Sequence, residues 1–185
     1  MYRNMAIGAL LLLFVLGISA LGIAYSGIYD VSASSGHTAA GRWVLETTME
    51  NSVRSRAAGI QAPESFAPAA TMAGGSEYKA MCQQCHGGPG LERAEWAEGL
   101  VPSPPDLTKA AADWRPNEIY WIVRHGIKLT GMPAFGDSHD EETLWNIAGF
   151  VEQLPRMTPE QYTALPDHHG DDAIRSQADH SVHSH

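Results

Sequence analysis

Between Arg3 and Asp30 the chain carries no charge: Asn4 to Tyr29 is an uncharged run of 26 residues. Its centre, Met5 to Ala24, reads MAIGALLLLFVLGISALGIA. In lipid every backbone polar group must be satisfied within the segment, and a helix of about 20 apolar residues does so while crossing a bilayer. A signal peptide's apolar core is shorter, about 7–15 residues. Length therefore favours a retained transmembrane anchor over residues 1–29, although Gly22-Ile23-Ala24 also fits the small-x-small pattern of a cleavage site. Either way the remainder is exported. Arg3 precedes the run and no Lys or Arg follows until Arg42. By the positive-inside rule this puts the N-terminus inside and everything after Asp30 outside, on the periplasmic side of a cell inner membrane.

The rest divides by composition. Residues 30–56 form a juxtamembrane segment in which Leu45, Met49, Ser52 and Val53 recur at helical spacing, with Arg42, Glu46, Glu50, Arg54 and Arg56 on the other sides. Such a helix rests on its own domain or on headgroups near Trp43, or docks a membrane partner. Residues 57–73 are rich in Ala, Pro and Gly and lack apolar periodicity, which predicts a linker. A helix is expected from about Ser76 to the glycines at 87 and 88. Pro102, Pro104 and Pro105 exclude a regular helix in the loop-like stretch that follows. A second helix should begin with Pro116 as its first residue and end at His125-Gly126. A third, capped near Ser138, should bury Leu144, Ile147, Ala148, Val151 and Leu154 before Pro155 stops it. Residues 156–185 hold few core-forming side chains and five of the nine histidines, His168, His169, His180, His183 and His185. They predict a disordered, His-rich tail that could take up copper, nickel or zinc.

The chemistry is concentrated in Cys82-Gln83-Gln84-Cys85-His86, which contains both cysteines of the chain. Cys-x-x-Cys-His is the attachment signature of c-type haem. Two thiols one helical turn apart can each add to a porphyrin vinyl group, and the adjacent imidazole then meets the iron from the same side. A thioredoxin-like dithiol belongs in a βαβ context that is missing here. A zinc site needs a second ligand pair, and a plain disulfide leaves His86 without a purpose. With 12 Lys+Arg against 21 Asp+Glu the formal charge is −9, which excludes a sequence-independent grip on nucleic acid phosphates.

With these motifs the chain resembles the class I c-type cytochromes, especially the mono-haem domains found alone or in bacterial haem-copper oxidase subunits. The resemblance covers residues 74–155. It rests on Gly74, Gly75 and Tyr78 before the attachment motif, on Pro105-Asp106-Leu107, on Gly131-Met132-Pro133-Ala134-Phe135, and on the terminal Phe150-Val151-Glu152-Gln153-Leu154-Pro155. It implies an all-α fold around one covalently held haem, with Cys82, Cys85, His86, Met132, Pro105 and Leu107 as cofactor-binding residues. The iron would be held by His86 and Met132, and Pro105 lies in the segment that accepts a hydrogen bond from the axial imidazole. His125, His139 and Met157 are the other candidates for the second axial position. Tyr78, Leu107, Ile119, Trp121, Ile122 and Phe150 are candidate core residues.

A six-coordinate iron has no open position, so the implied role is one-electron transfer without a small-molecule substrate. The donor and acceptor would be membrane-bound redox complexes, such as a quinol-oxidising complex and a terminal oxidase. Residues 74–155 hold six Lys+Arg and 12 Asp+Glu, a charge that suits a basic partner surface. Two other classes stay open on the sequence: a haem protein with an open iron that turns over peroxide or binds a gas, and a metal-handling protein built on the His-rich tail.

Overall fold

In a computed structural model, residues 2–167 are described and the ordered elements among them are helical. Backbone contacts divide the chain into two units, residues 1–36 and 37–185. The first consists of helix α1 (Tyr2–Ser26) and a short 3-10 turn at Ala33–Ser35. At 25 residues and a rise of about 1.5 Å each, α1 spans about 37 Å. Among the described residues it is the one helix long and apolar enough to cross a membrane, and none of its side chains is buried by protein.

The second unit is built from α2 (Ala39–Ala57), α3 (Pro68–Met81), the single turn α4 (Gln83–His86), α5 (Leu107–Ala110), α6 (Pro116–His125), α7 (Glu141–Gln153) and α8 (Pro159–Thr163). The crossing of α3 on α7 is its centre. The face that α3 offers is made of small side chains, Thr71, Gly74 and Gly75, followed by the fully buried Tyr78. Opposite it α7 buries Leu144, Ile147, Ala148, Phe150 and Val151, the face expected from apolar spacing. The α6 helix adds Ile119, Tyr120 and Val123 to the same core. Pro116 is its first residue and Gly126, with φ +63°, ends it.

Four expectations need correction. The α3 helix begins at Pro68, well before Ser76, so it takes in the last part of the segment read as a 57–73 linker. The cap of α7 is Asp140, whose carboxylate accepts from the Thr143 amide (2.8 Å). Ser138 instead bonds the Phe135 carbonyl and the His139 ring. Third, the region after Pro155 is not structureless from its start: Leu154–Arg156 form a 3-10 turn, and α8 places Tyr162 in the core with no exposed surface. The His168–His185 part of that segment lies outside the described residues. Fourth, Trp121 and Ile122 are half-buried and outside the core cluster, whereas Leu107 packs against it and Tyr78, Ile119 and Phe150 are core as expected.

The C-terminal half of α2 belongs to the same unit. Val53 and Ala57 are buried, and the Ala57 carbonyl accepts from the Asn117 side chain (2.8 Å). The Arg54 guanidinium lies over the Trp114 ring at 5.7 Å. Of the alternatives for this helix, its own domain supplies the surface on which that half rests. Trp43 and Val44, near its start, stay exposed.

Candidate haem-binding site

The attachment motif sits where α3 ends. Cys82 is the last residue linked to α3 by a backbone bond, its amide donating to the Tyr78 carbonyl (2.9 Å), and it opens the turn α4 that carries Cys85 and His86. Both thiols are free. Burial, with the neighbouring Cys85 and Glu77 adding to it, pushes the Cys82 thiol up to about 12. Reactive dithiols work through the thiolate and need the opposite shift, so Cys82 is badly suited to disulfide exchange. A buried thiol next to a half-buried one fits conversion to two neutral thioethers.

Gly87, with φ +69°, turns the chain sharply after His86. The Tyr78 hydroxyl donates to its carbonyl at 2.9 Å. The half-buried His86 places Nδ1 at 2.9 Å from the Pro105 carbonyl oxygen. A carbonyl only accepts, so Nδ1 carries the proton and Nε2 keeps its lone pair. Burial also holds the ring below its ordinary pKa, against the pull of the Pro105 hydrogen bond. The result is a neutral imidazole oriented by a fixed contact, with one nitrogen free to bind a metal.

The Pro105 carbonyl is itself secured. The half-buried Arg93 donates to the Pro104 carbonyl (2.6 Å) and to the Ser103 hydroxyl (2.9 Å). Asp106 then caps α5 through the Thr108 amide and hydroxyl, at 3.0 and 2.6 Å. Arg93 was not among the residues singled out from sequence, because a lone arginine in a loop carries no spacing signal. Its guanidinium charge strengthens both bonds. Arg93→Met should therefore lower the domain's stability by about 1–2 kcal/mol in a urea titration. A midpoint equal to the parent's would show that the 103–105 strap holds without it.

Met132 lies on the α6–α7 connection, half-buried. The loop folds back on the end of α6: the Met132 amide donates to Thr130 Oγ1 (3.0 Å), and its carbonyl accepts from the Ile127 amide (3.2 Å). Phe135 and Gly136 bond to the Val123 and Arg124 carbonyls at 3.1 and 2.9 Å. Gly126 makes this approach possible, since a Cβ there would stand 2.7 Å from the Met132 oxygen. The lip of the loop also meets the stretch after the motif, where Gly131 leaves room for the Leu100 side chain.

The other candidate axial ligands are engaged elsewhere. The exposed His125 packs its ring against Trp121 (4.8 Å), and His139 bonds Ser138 (2.8 Å) and meets the Phe135 edge. Met157 packs against the core below α7. Leu107 opens α5 and also packs against the core. His86 and Pro105 are thus joined directly, while Met132 is held in a loop of its own. No group of three or more His, Cys, Asp or Glu side chains forms a metal site among the described residues.

Residues 69–151 match the family described as cytochrome c oxidase, cbb3-type, subunit III. This segment is similar to the class I c-type cytochromes. The chain is also similar to the "Cbb3-type cytochrome c oxidase subunit FixP" of Rhizobium meliloti (strain 1021), at 32% identity over 95 residues. That match takes in 46% of this chain and 30% of the relative, so the chain spans under a third of the relative's length. No solved structure matches. Cytochromes of this class carry covalent haem c, and the paired thiols and the oriented His86 of this domain fit that group.

Proposed function

We propose that this chain is a membrane-anchored electron carrier holding one c-type haem, and that it works as part of an oxidase complex. The single observation that carries the reading is the 2.9 Å contact of His86 Nδ1 with the Pro105 carbonyl beside two free, adjacent cysteines. It leaves the Nε2 lone pair available to a metal. When bound, the haem iron supplies a one-electron couple whose potential is set by its axial ligands and surroundings.

The chain's own residues do the rest. Cys82 and Cys85 would hold the macrocycle by thioether bonds, and His86 would ligate the iron through Nε2. Pro105 fixes the plane of the ring and raises its basicity. Met132, on the α6–α7 loop, would supply a thioether as the second ligand, which favours the reduced metal. With both ligands coming from side chains, peroxide or a gas would find no open site. The α1 anchor keeps the domain at the outer face of a bacterial inner membrane, facing the periplasm. There its effective concentration beside membrane partners is high. A quinol-oxidising complex is the expected donor, docking transiently on the acidic domain, and the terminal oxidase of its own complex is the acceptor.

Carbon monoxide tests this. The membrane fraction should contain a haem-staining band at the size of the chain, and the reduced protein should keep its spectrum under the gas. A prompt spectral shift would mean an open iron and favour a peroxidase or gas-binding role. Absence of covalent stain would sink the haem reading itself.

A further inference from the structure

The turn α4 is too short to set its own orientation, because a single helical turn has one or two bonds and no cooperative support. Contacts from outside decide where it points. Three of them, Tyr78 to Gly87, Ala94 to Gln84 and Pro105 to His86, lie within the matched segment. The fourth does not. From α8, beyond residue 151, the Tyr162 hydroxyl donates to Oε1 of Gln83 at 2.8 Å. Gln83 is the residue after Cys82 inside the attachment motif, and its carbonyl accepts from the Gly87 amide (2.8 Å).

The surroundings are cut to admit Tyr162. Its ring stands edge-on to Tyr78 (6.3 Å between centroids) and tilted on Phe150 (6.3 Å). A Cβ on Gly88 would stand 2.7 Å from the Tyr162 ring carbon that bears the hydroxyl, and one on Gly90 would stand 2.8 Å from Pro159. The loop following His86 therefore uses two glycines to close on α8. From the other side, Lys79 donates to the Leu165 carbonyl (2.7 Å) and lies over the Tyr162 ring at 5.7 Å. Thr158 and Gln161 cap each other's backbone and preform the turn. Burial pushes the phenol pKa upward, so the hydroxyl stays a donor throughout the physiological range. A phenylalanine would fill the same volume without a polar atom to satisfy. The hydroxyl is there for Gln83.

We propose that α8 is a clamp on the attachment turn, in which Tyr162 acts through Gln83 as a positioning residue for the His86 imidazole. Gln83 and His86 share one turn, so pinning the first limits how the second can tilt. Ligand pose and solvent access at the iron are both levers on its potential. The proposal rests on the haem reading above.

The test uses the full chain in detergent, with Tyr162→Phe, Gln83→Leu and the pair combined. Haem per chain, melting temperature, midpoint potential and the charge-transfer band of the oxidised protein are read for each. Each single variant should keep its haem and melt near the parent. Its potential should fall, because a loosened turn admits water that favours the more highly charged oxidised iron. The double variant should fall no further than the larger single shift, since both remove one contact. Lys79→Met, which frees Leu165 without touching the motif, should lower the potential in the same direction. Parental potentials in the single variants, additive shifts in the double, or no shift in Lys79→Met would each overturn the clamp. Failure of the haem reading would show earlier and differently, as a parent chain without covalent haem.

Discussion

Exchanging Gly74 for alanine should cost the folded domain about 3 kcal/mol, the top of the usual range for overpacking. A Cβ at this position would overlap the carbonyl oxygen of Asn146 and stand 2.9 Å from the Ile147 nitrogen. Both obstacles are α7 backbone, which cannot turn aside as a side chain can. The two helices must separate, and separation opens the core around Tyr78, Ile147 and Phe150. Alanine's advantage over glycine inside a helix, about 1 kcal/mol, works the other way and is too small to change the sign. At about 4 °C per kcal/mol the melting temperature should fall by roughly 10 °C. Gly149→Ala meets only the Phe66 ring, a half-buried side chain that can shift, so it should cost less. Gly99→Ala meets nothing within 4 Å and should stay within about 0.5 kcal/mol of the parent. Equal melting of the Gly74 and Gly99 variants would show that α3 and α7 do not cross this closely.

That crossing also explains which helices could be read from sequence. The α6 and α7 helices announce themselves through apolar residues at helical spacing, a proline at the start of one and acidic residues in the first turn of the other. The first half of α3 hides. Its contact face is Thr71, Gly74 and Gly75, residues that serve by being small, and a search for apolar bulk passes over them. Only Pro68, at its first position, marks the true start. The α8 helix is missed for a different reason, although Thr158-Pro159-Glu160-Gln161 is a capping box with proline at the first helical position. Its brevity and the polar tail beyond it concealed the signal. At the site, the attachment motif follows from local sequence, whereas the Pro105 partner of His86 follows only from the family resemblance. Arg93 and Tyr162 follow from neither, because each acts on a residue brought near by the fold: Arg93 on Ser103 and Pro104, Tyr162 on Gln83 far back along the chain.

Met132→Ala should change the metal rather than the fold. The loop that carries Met132 is tied to α6 by backbone bonds and by Thr130, none of which uses the methionine side chain. Its path should survive truncation, and the haem should stay attached through Cys82 and Cys85. What would be lost is the thioether proposed as the second ligand to the iron. The oxidised protein should lose its sulfur-to-iron charge-transfer band, and the reduced protein should now bind carbon monoxide. The potential should fall by on the order of 100 mV, since axial ligands spread haem potentials over about 0.8 V. Replacement by histidine should restore a closed iron yet keep the potential low, because imidazole favours the oxidised metal more than a thioether does. His125→Ala should alter neither band nor potential, as that ring is exposed and packed on Trp121. A Met132→Ala protein with the parent's band and potential would move the sixth ligand to another residue.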